Sequence, residues 1–243
     1  MRFSPFVPPV PARLAVELMS YSMRWHLLNS LTTPPAENMA WDEALLEAAP
    51  QLGQSVLRFY GWTEPAATFG YFQKFSDVER MTELRPLIRR PTGGGLVPHD
   101  ADWTYSVVVP PNHSWYELRA PESYERMHRW IQAAFASLGV ATELAPCCRK
   151  EIPGQCFAGY EKSDVLCLGK KIAGAAQRRT KTGLLIQGSI QPPPSGVSRA
   201  CWQEAMVGDG SRFENFEEPP SLRERASVLA REKFSRAEHN RRR

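Results

Sequence analysis

Three consecutive glycines follow a pair of arginines in Arg89-Arg90-Pro91-Thr92-Gly93-Gly94-Gly95. Such a run suits neither helix nor strand and lets backbone N–H groups approach a ligand closely. It reads as a cradle for an anion or a carbonyl oxygen, or as a flexible hairpin loop. It is not a phosphate loop of the G-x-x-x-x-G-K-[ST] kind, and a strand rather than a helix is predicted after it. Lys170 and Lys171 stand in strand-like sequence, where alternation sends them to opposite faces of a sheet. One of them can face a cleft and hold a phosphate, a carboxylate or a developing oxyanion; both can equally be solvated turn lysines. Cys156 lies in a loop-like stretch, Ile152 to Gly159, that also holds Pro153 and Gly154, so its sulfur should be reachable. Beside a cation such a thiol becomes a nucleophile, and without one it is inert. Cys167, inside Val-Leu-Cys-Leu, is expected to be buried. Asn38 and Asp42 share a helix face. His99-Asp100 could orient the glycine loop, and no G-x-S-x-G signature supports a serine triad.

The whole chain narrows the chemistry further. The net charge over 243 residues is +4, but Ser221–Arg243 alone carries +5, which leaves the rest near neutral. A nucleic-acid reader spreads basic charge over a folded face, so that class is set aside. No apolar run approaches the roughly 18 to 20 residues of a membrane helix. The five cysteines contain no C-x-x-C pair, which argues against structural zinc. An odd cysteine count, with prolines where a signal peptide needs an apolar stretch, points to the reducing cytoplasm.

These side chains need elements to hold them. Pro5, Pro8, Pro9 and Pro11 make residues 1–23 an extended arm, within which Met19 or Met23 could be the true start. A strand is predicted from Arg24, then a helix capped at Thr33, with Pro34 in its first turn, that Pro50 stops. Ser55–Trp62 and Ala66–Gln73 read as paired strands, followed by a short helix capped by Ser76. Another strand starts at Trp103. Tyr124, Met127, Ile131, Ala134 and Leu138 mark an amphipathic helix that Gly139 ends. Asp164–Gln177 and Gly183–Ile190 are two more strands, and a charged helix begins near Ser221. The reading is one α/β (α+β) domain over 24–243 with a mixed, largely antiparallel sheet flanked by helices, its periodicity weak over 192–243.

Taken in order, the segments resemble the lipoate-protein ligase A/B superfamily. The family's motifs correspond to Asn38-Met39-Ala40-Trp41-Asp42-Glu43-Ala44, Arg58-Phe59-Tyr60-Gly61-Trp62, Gly70-Tyr71-Phe72-Gln73, Arg89 through His99-Asp100, Lys171 through Arg178, and Gly188-Ser189. The resemblance spans roughly Arg24 to Ile190. It departs at Pro98 before His-Asp, at Gln187 where a histidine commonly precedes Gly-Ser, and at Gln191-Pro192-Pro193-Pro194.

The resemblance implies a catalytic domain of the biotin/lipoyl-ligase type. Cys156-Phe157, with Lys171 fifteen residues on, is similar to the cysteine-dependent octanoyltransferase branch. That branch implies Cys156 as the nucleophile that takes octanoate, or lipoate, from acyl carrier protein. It passes the acyl group to a lysine of a lipoyl domain of a 2-oxoacid dehydrogenase or of glycine cleavage H protein. Lys171 would lower the thiol pKa or hold the acyl carbonyl oxygen. Arg58, Arg90, Thr92, Gly93, Gly94, Gly95, His99, Gly174 and Ala176 would bind substrate. No cofactor or metal is then needed. The alternatives are an ATP- and Mg-dependent lipoate-protein ligase and a non-catalytic binder of acyl groups or carriers. Arg89 and Arg90, with Arg178, Arg179 and Lys181, are expected to form basic clusters at the pocket mouth, and the tail from Asn240 to matter little.

Overall fold

A computed structural model describes residues 24–150 and 153–242. The arm expected over 1–23 lies outside the described residues. The first half of the chain runs β1 (Trp25–Thr33), α1 (Pro35–Leu52), β2 (Ser55–Trp62), β3 (Ala66–Phe69), α2 (Phe75–Val78), β4 (Leu87–Arg89), β5 (Val97–His99) and β6 (Trp103–Val109). It continues through α3 (Ser114–Glu117), α4 (Ala120–Ser137), β7 (Glu143–Leu144), β8 (Arg149–Lys150), β9 (Gly159–Tyr160), β10 (Val165–Cys167), β11 (Lys170–Thr180) and β12 (Gly183–Ile190). The last part holds α5 (Arg199–Val207), β13 (Phe213–Asn215), α6 (Pro220–Leu229), a π-helical turn (Ala230–Phe234) and α7 (Ala237–Asn240).

An eight-stranded sheet in the order β13-β1-β2-β6-β12-β11-β10-β7 forms the centre, parallel across β13-β1-β2 and antiparallel elsewhere. Its middle strands are buried on both faces, which is why Ser55–Trp62 and Gly183–Ile190 are so apolar. Leu57 and Phe59 face α4 and α5 with Met127, Ile131, Phe135 and Trp202. Val56 and Tyr60 face α1 and α6 with Leu45, Leu229 and Phe234. A second sheet, β4-β3-β5, stands beside the first. The mixed, helix-flanked sheet is the one anticipated.

Local differences have local causes. Pro50 does not end α1, which continues to Leu52 and closes with the Gly53 N–H on Ala49 O at 3.1 Å. A proline in a last turn removes a single helical N–H bond, which the end can lose. Thr33 gives its hydroxyl to the Asn38 side chain rather than to the helix backbone, and the cap position is Pro34. Ser76 lies inside α2, whose cap position is Lys74. β2 and β3 are not partners: β2 pairs with β1 and β6, β3 with β4 and β5. Pro65 at the corner lacks an N–H for a hairpin ladder. The stretch from Asp164 divides into β10 and β11 at Leu168 and Gly169, both at positive φ. α5 was hidden because it presents only Trp202 and Met206 to the core.

Candidate active site

Cys156 is tied to the glycine loop by backbone bonds: the Leu96 N–H donates to Gly154 O at 2.7 Å, and the Cys156 N–H donates to Leu96 O at 3.1 Å. The sulfur, half-buried, accepts the Gly95 N–H at 3.0 Å. Glycine is required here for space. A Cβ on Gly95 would lie 2.5 Å from Gly154 O, and one on Gly94, at φ +85°, 2.8 Å from an Arg90 nitrogen. The Arg90 guanidinium curls under the loop and donates to Gly93 O at 2.6 Å and Gly95 O at 2.8 Å. Burial lowers its pKa, opposed by the nearby Cys156 sulfur. Arg90 is thus the guanidinium behind the loop that holds the thiol.

Lys171 points inward from the start of β11, its side chain 6% exposed, while Lys170 is exposed. Its ammonium lies 2.8 Å from Asp164 Oδ2 and donates to Cys156 O at 2.8 Å, above the Phe157 ring. A Cβ on Gly174 would sit 2.6 Å from that nitrogen. Lys171 therefore holds the backbone of the Cys156 loop, with its ammonium on Cys156 O and Asp164 rather than on the sulfur. Asp164, fully buried, also accepts the Glu161 N–H and the Tyr124 hydroxyl. Sequence reasoning missed it, although an acid directly before the apolar run Val165–Leu168 needs a buried partner.

A solvent-open cavity, about 460 Å³ with the open solvent space counted, joins Cys156, Phe157 and Lys171 to Met39, Tyr60, Thr68, Arg90, Val97, His99, Thr104, Gly174–Ala176 and Gln187–Ser189. His99 and Asp102 form a 2.9 Å pair, and His99 Nε2 lies 2.8 Å from Thr68 Oγ1. Burial pushes the Asp102 carboxyl up, but His99 and the hydroxyls of Ser189 and Thr104 outweigh it and hold the pKa below the usual carboxylate value. Thr68 was absent from the sequence reading because His99 lies on another strand, and Asp102 because its pairing with His99 three residues away has no sequence signature.

Several expected contacts fall elsewhere. Arg58 is fully buried between Asp42 at 2.8 Å and Asn38 at 2.8 Å, pinning α1 to β2 away from the cavity wall. Thr92 acts through Gln187, donating to its Oε1 at 2.7 Å while the Gln187 amide donates to Asp42 at 2.7 Å. Gly93, Gly94 and Gly95 pack behind the thiol rather than among the side chains of the wall. Arg89 is fully buried and donates to the carbonyls of Tyr71, Gln73, His239, Asn240 and Arg242. It is no surface charge, and the C-terminal residues hold it in place. Among the described residues no cluster of three or more His, Cys, Asp or Glu side chains could hold a metal ion, and no helix is long and apolar enough to cross a membrane.

The sequence matches a family model described as the lipoyl protein ligase A/B catalytic domain over residues 34–191. An octanoyltransferase LipM from Carboxydothermus hydrogenoformans is 36% identical over 172 residues, 68% of this chain and 64% of that protein. The chain thus matches a little under two thirds of the length of such curated relatives. A lipoate-protein ligase A solved with ATP superposes with a TM-score of 0.72 at 21% identity, covering 91% of this chain and 99% of that one. The bi-partite lipoate protein ligase from Thermoplasma acidophilum, studied with its E2 lipoyl domain, gives 0.69 at 21% identity over 90% and 96%. At such identities the two structures speak for the fold alone.

Proposed function

Because the chain belongs to the lipoyl protein ligase A/B catalytic domain family, we propose that it moves an octanoyl group, or a lipoyl group, through a thioester on Cys156. The donor in this reading is acyl carrier protein. The acceptor is a lysine of a lipoyl domain of a 2-oxoacid dehydrogenase or of glycine cleavage H protein. One observation carries the reading: the Cys156 sulfur sits at the cavity and accepts the Gly95 N–H, with the Arg90 guanidinium holding the same glycine loop from behind. A sulfur that opens on a cavity and is held by an N–H donor is placed to attack an acyl carbonyl. The attack forms a C–S bond to Cys156 and releases the carrier's thiolate; the acceptor amine then displaces Cys156. Met39, Val97, Ala175 and Ala176 give the straight chain an apolar wall. Neither ATP nor metal enters this route, and a free thiol of this kind supports a reducing, cytoplasmic setting.

The test is intact-protein mass spectrometry after mixing the protein with octanoyl carrier protein in the absence of ATP. An octanoyl adduct that maps to Cys156 and disappears in Cys156→Ala is the expected result. Acyl transfer only from free octanoate or lipoate with ATP would instead establish the ligase.

A further inference from the structure

Aminolysis of an acyl-enzyme leaves a proton to be placed, and the cavity has few groups to receive it. The Lys171 ammonium is engaged by Asp164 and Cys156 O. Tyr60 donates its hydroxyl to Asp42. His99 is left, and its surroundings fix its tautomer. Asp102 Oδ2 already accepts the hydroxyls of Thr104 at 2.9 Å and Ser189 at 2.7 Å. A carboxylate only accepts, so the proton between it and His99 resides on Nδ1, which in the neutral ring leaves Nε2 bare. The Thr68 hydroxyl, 2.8 Å away, then donates to Nε2 and keeps its lone pairs for the cavity and for Arg90 Nη1 at 3.4 Å. The imidazole is stacked on Trp62 with 4.0 Å between ring centres, and the Trp62 indole N–H donates to Thr104 Oγ1 at 2.7 Å, so the ring cannot turn.

Resting on the transferase reading, we propose that the Thr68 hydroxyl and His99 form the proton outlet of the second half-reaction, held in line by Asp102. The acceptor lysine's nitrogen forms a bond to the thioester carbon, the C–S bond breaks, and its electron pair stays on Cys156 as thiolate. The nitrogen's proton passes to Thr68 Oγ1 as the Thr68 proton passes to His99 Nε2. The resulting imidazolium is balanced by Asp102 and returns its proton to water through the open mouth before the next acylation. Thr68 is the group that meets the amine; His99 and Asp102 act through it.

A stepwise assay reads this directly. The protein is first loaded with octanoyl carrier protein, its Cys156 adduct is measured by mass spectrometry, and a lipoyl domain is then added to follow loss of the adduct. In His99→Gln and Thr68→Val the Cys156 adduct, once formed, should discharge at least 10²-fold more slowly than in wild type, the low end of what a positioned proton acceptor contributes. Thr68→Ser, which keeps the hydroxyl, should recover most of the rate, and so should imidazole added to His99→Ala. Discharge within threefold of wild type in both first variants overturns the outlet while the loaded Cys156 leaves the transferase standing. Loss in Thr68→Ser equal to that in Thr68→Val would show a packing role and also overturn it. A wild-type protein that never loads overturns the transferase reading, and the outlet with it.

Discussion

At Cys156 the sulfur has an N–H donor and a guanidinium behind its loop, whereas Cys167 is packed at the edge of the core beside β11. Cys156→Ala should therefore abolish acyl transfer and Cys167→Ala leave it largely intact, as measured by octanoylation of a lipoyl domain. Lys171→Ala should cost about 10²- to 10³-fold in rate, through a displaced Cys156 loop. It should also lower the melting temperature, because Asp164 would keep a buried charge without its cation, a loss on the order of 3 to 5 kcal/mol. Lys170→Ala, at an exposed position, should change neither. Cys156 and Lys171 were singled out in the sequence by their resemblance to the octanoyltransferase branch, since residue types alone left both open. What lay hidden was the pairing, since Arg90 reaches the glycine loop from β4's end while Lys171 turns to Asp164, and alternation along one strand cannot report a partner on another.

Close backbone approach decides which glycines the elements can spare. Gly188 pairs with Tyr105 across β12 and β6, and a Cβ there would lie 2.1 Å from the tyrosine ring. A Cβ on Gly70 would lie 1.9 Å from Gly94 O, a backbone atom of the glycine loop itself. Gly70→Ala should accordingly unseat the thiol's cradle, and Gly188→Ala should overpack the core by about 1 to 3 kcal/mol or more. By contrast Gly93→Ala meets nothing within 4 Å and should melt like wild type. Thermal unfolding followed by circular dichroism separates the three. α4, with one strong apolar stripe, was readable from periodicity, and β2, buried on both faces, from its aromatic and β-branched residues. The partnership of β3 with β4 and β5 was not, because burial on every side removes the alternation that reveals a face.

Two properties belong to the whole molecule, and the first is acid sensitivity. Burial, joined by the Lys171 charge, pushes His128 down to about 3, and burial pushes His113 and His239 to about 4. Each folded-state value lies below the unfolded one of roughly 6.5, so the unfolded chain takes up protons first as pH falls. Stability should be full above about pH 6.5 and decline steadily toward pH 4, and His128→Leu should make that decline shallower in denaturant titrations. The second property concerns the basic tail. Arg89 takes three of its five carbonyl acceptors from His239, Asn240 and Arg242, and Asn240 Oδ1 also accepts the Arg89 N–H at 2.9 Å. Removing residues 239–243 would strip these from a fully buried cation one residue from Arg90, at a cost above about 3 kcal/mol. Composition alone made the tail look like solvated charge, because its acceptors are main-chain carbonyls that no residue type announces. The same cut removes Arg242, whose guanidinium lies 4.3 Å from the centre of the Tyr71 ring that Arg178 also approaches at 5.5 Å. If this pair of cations steers an acidic carrier, the apparent second-order rate should fall steeply with salt beyond physiological strength, where the Debye length is about 8 Å. Arg178→Gln with Arg242→Gln should flatten that dependence while keeping the melting temperature, since neither change touches the carbonyls on Arg89. The truncation should lower both, and a truncated protein that melts like wild type would refute the anchoring role of the tail.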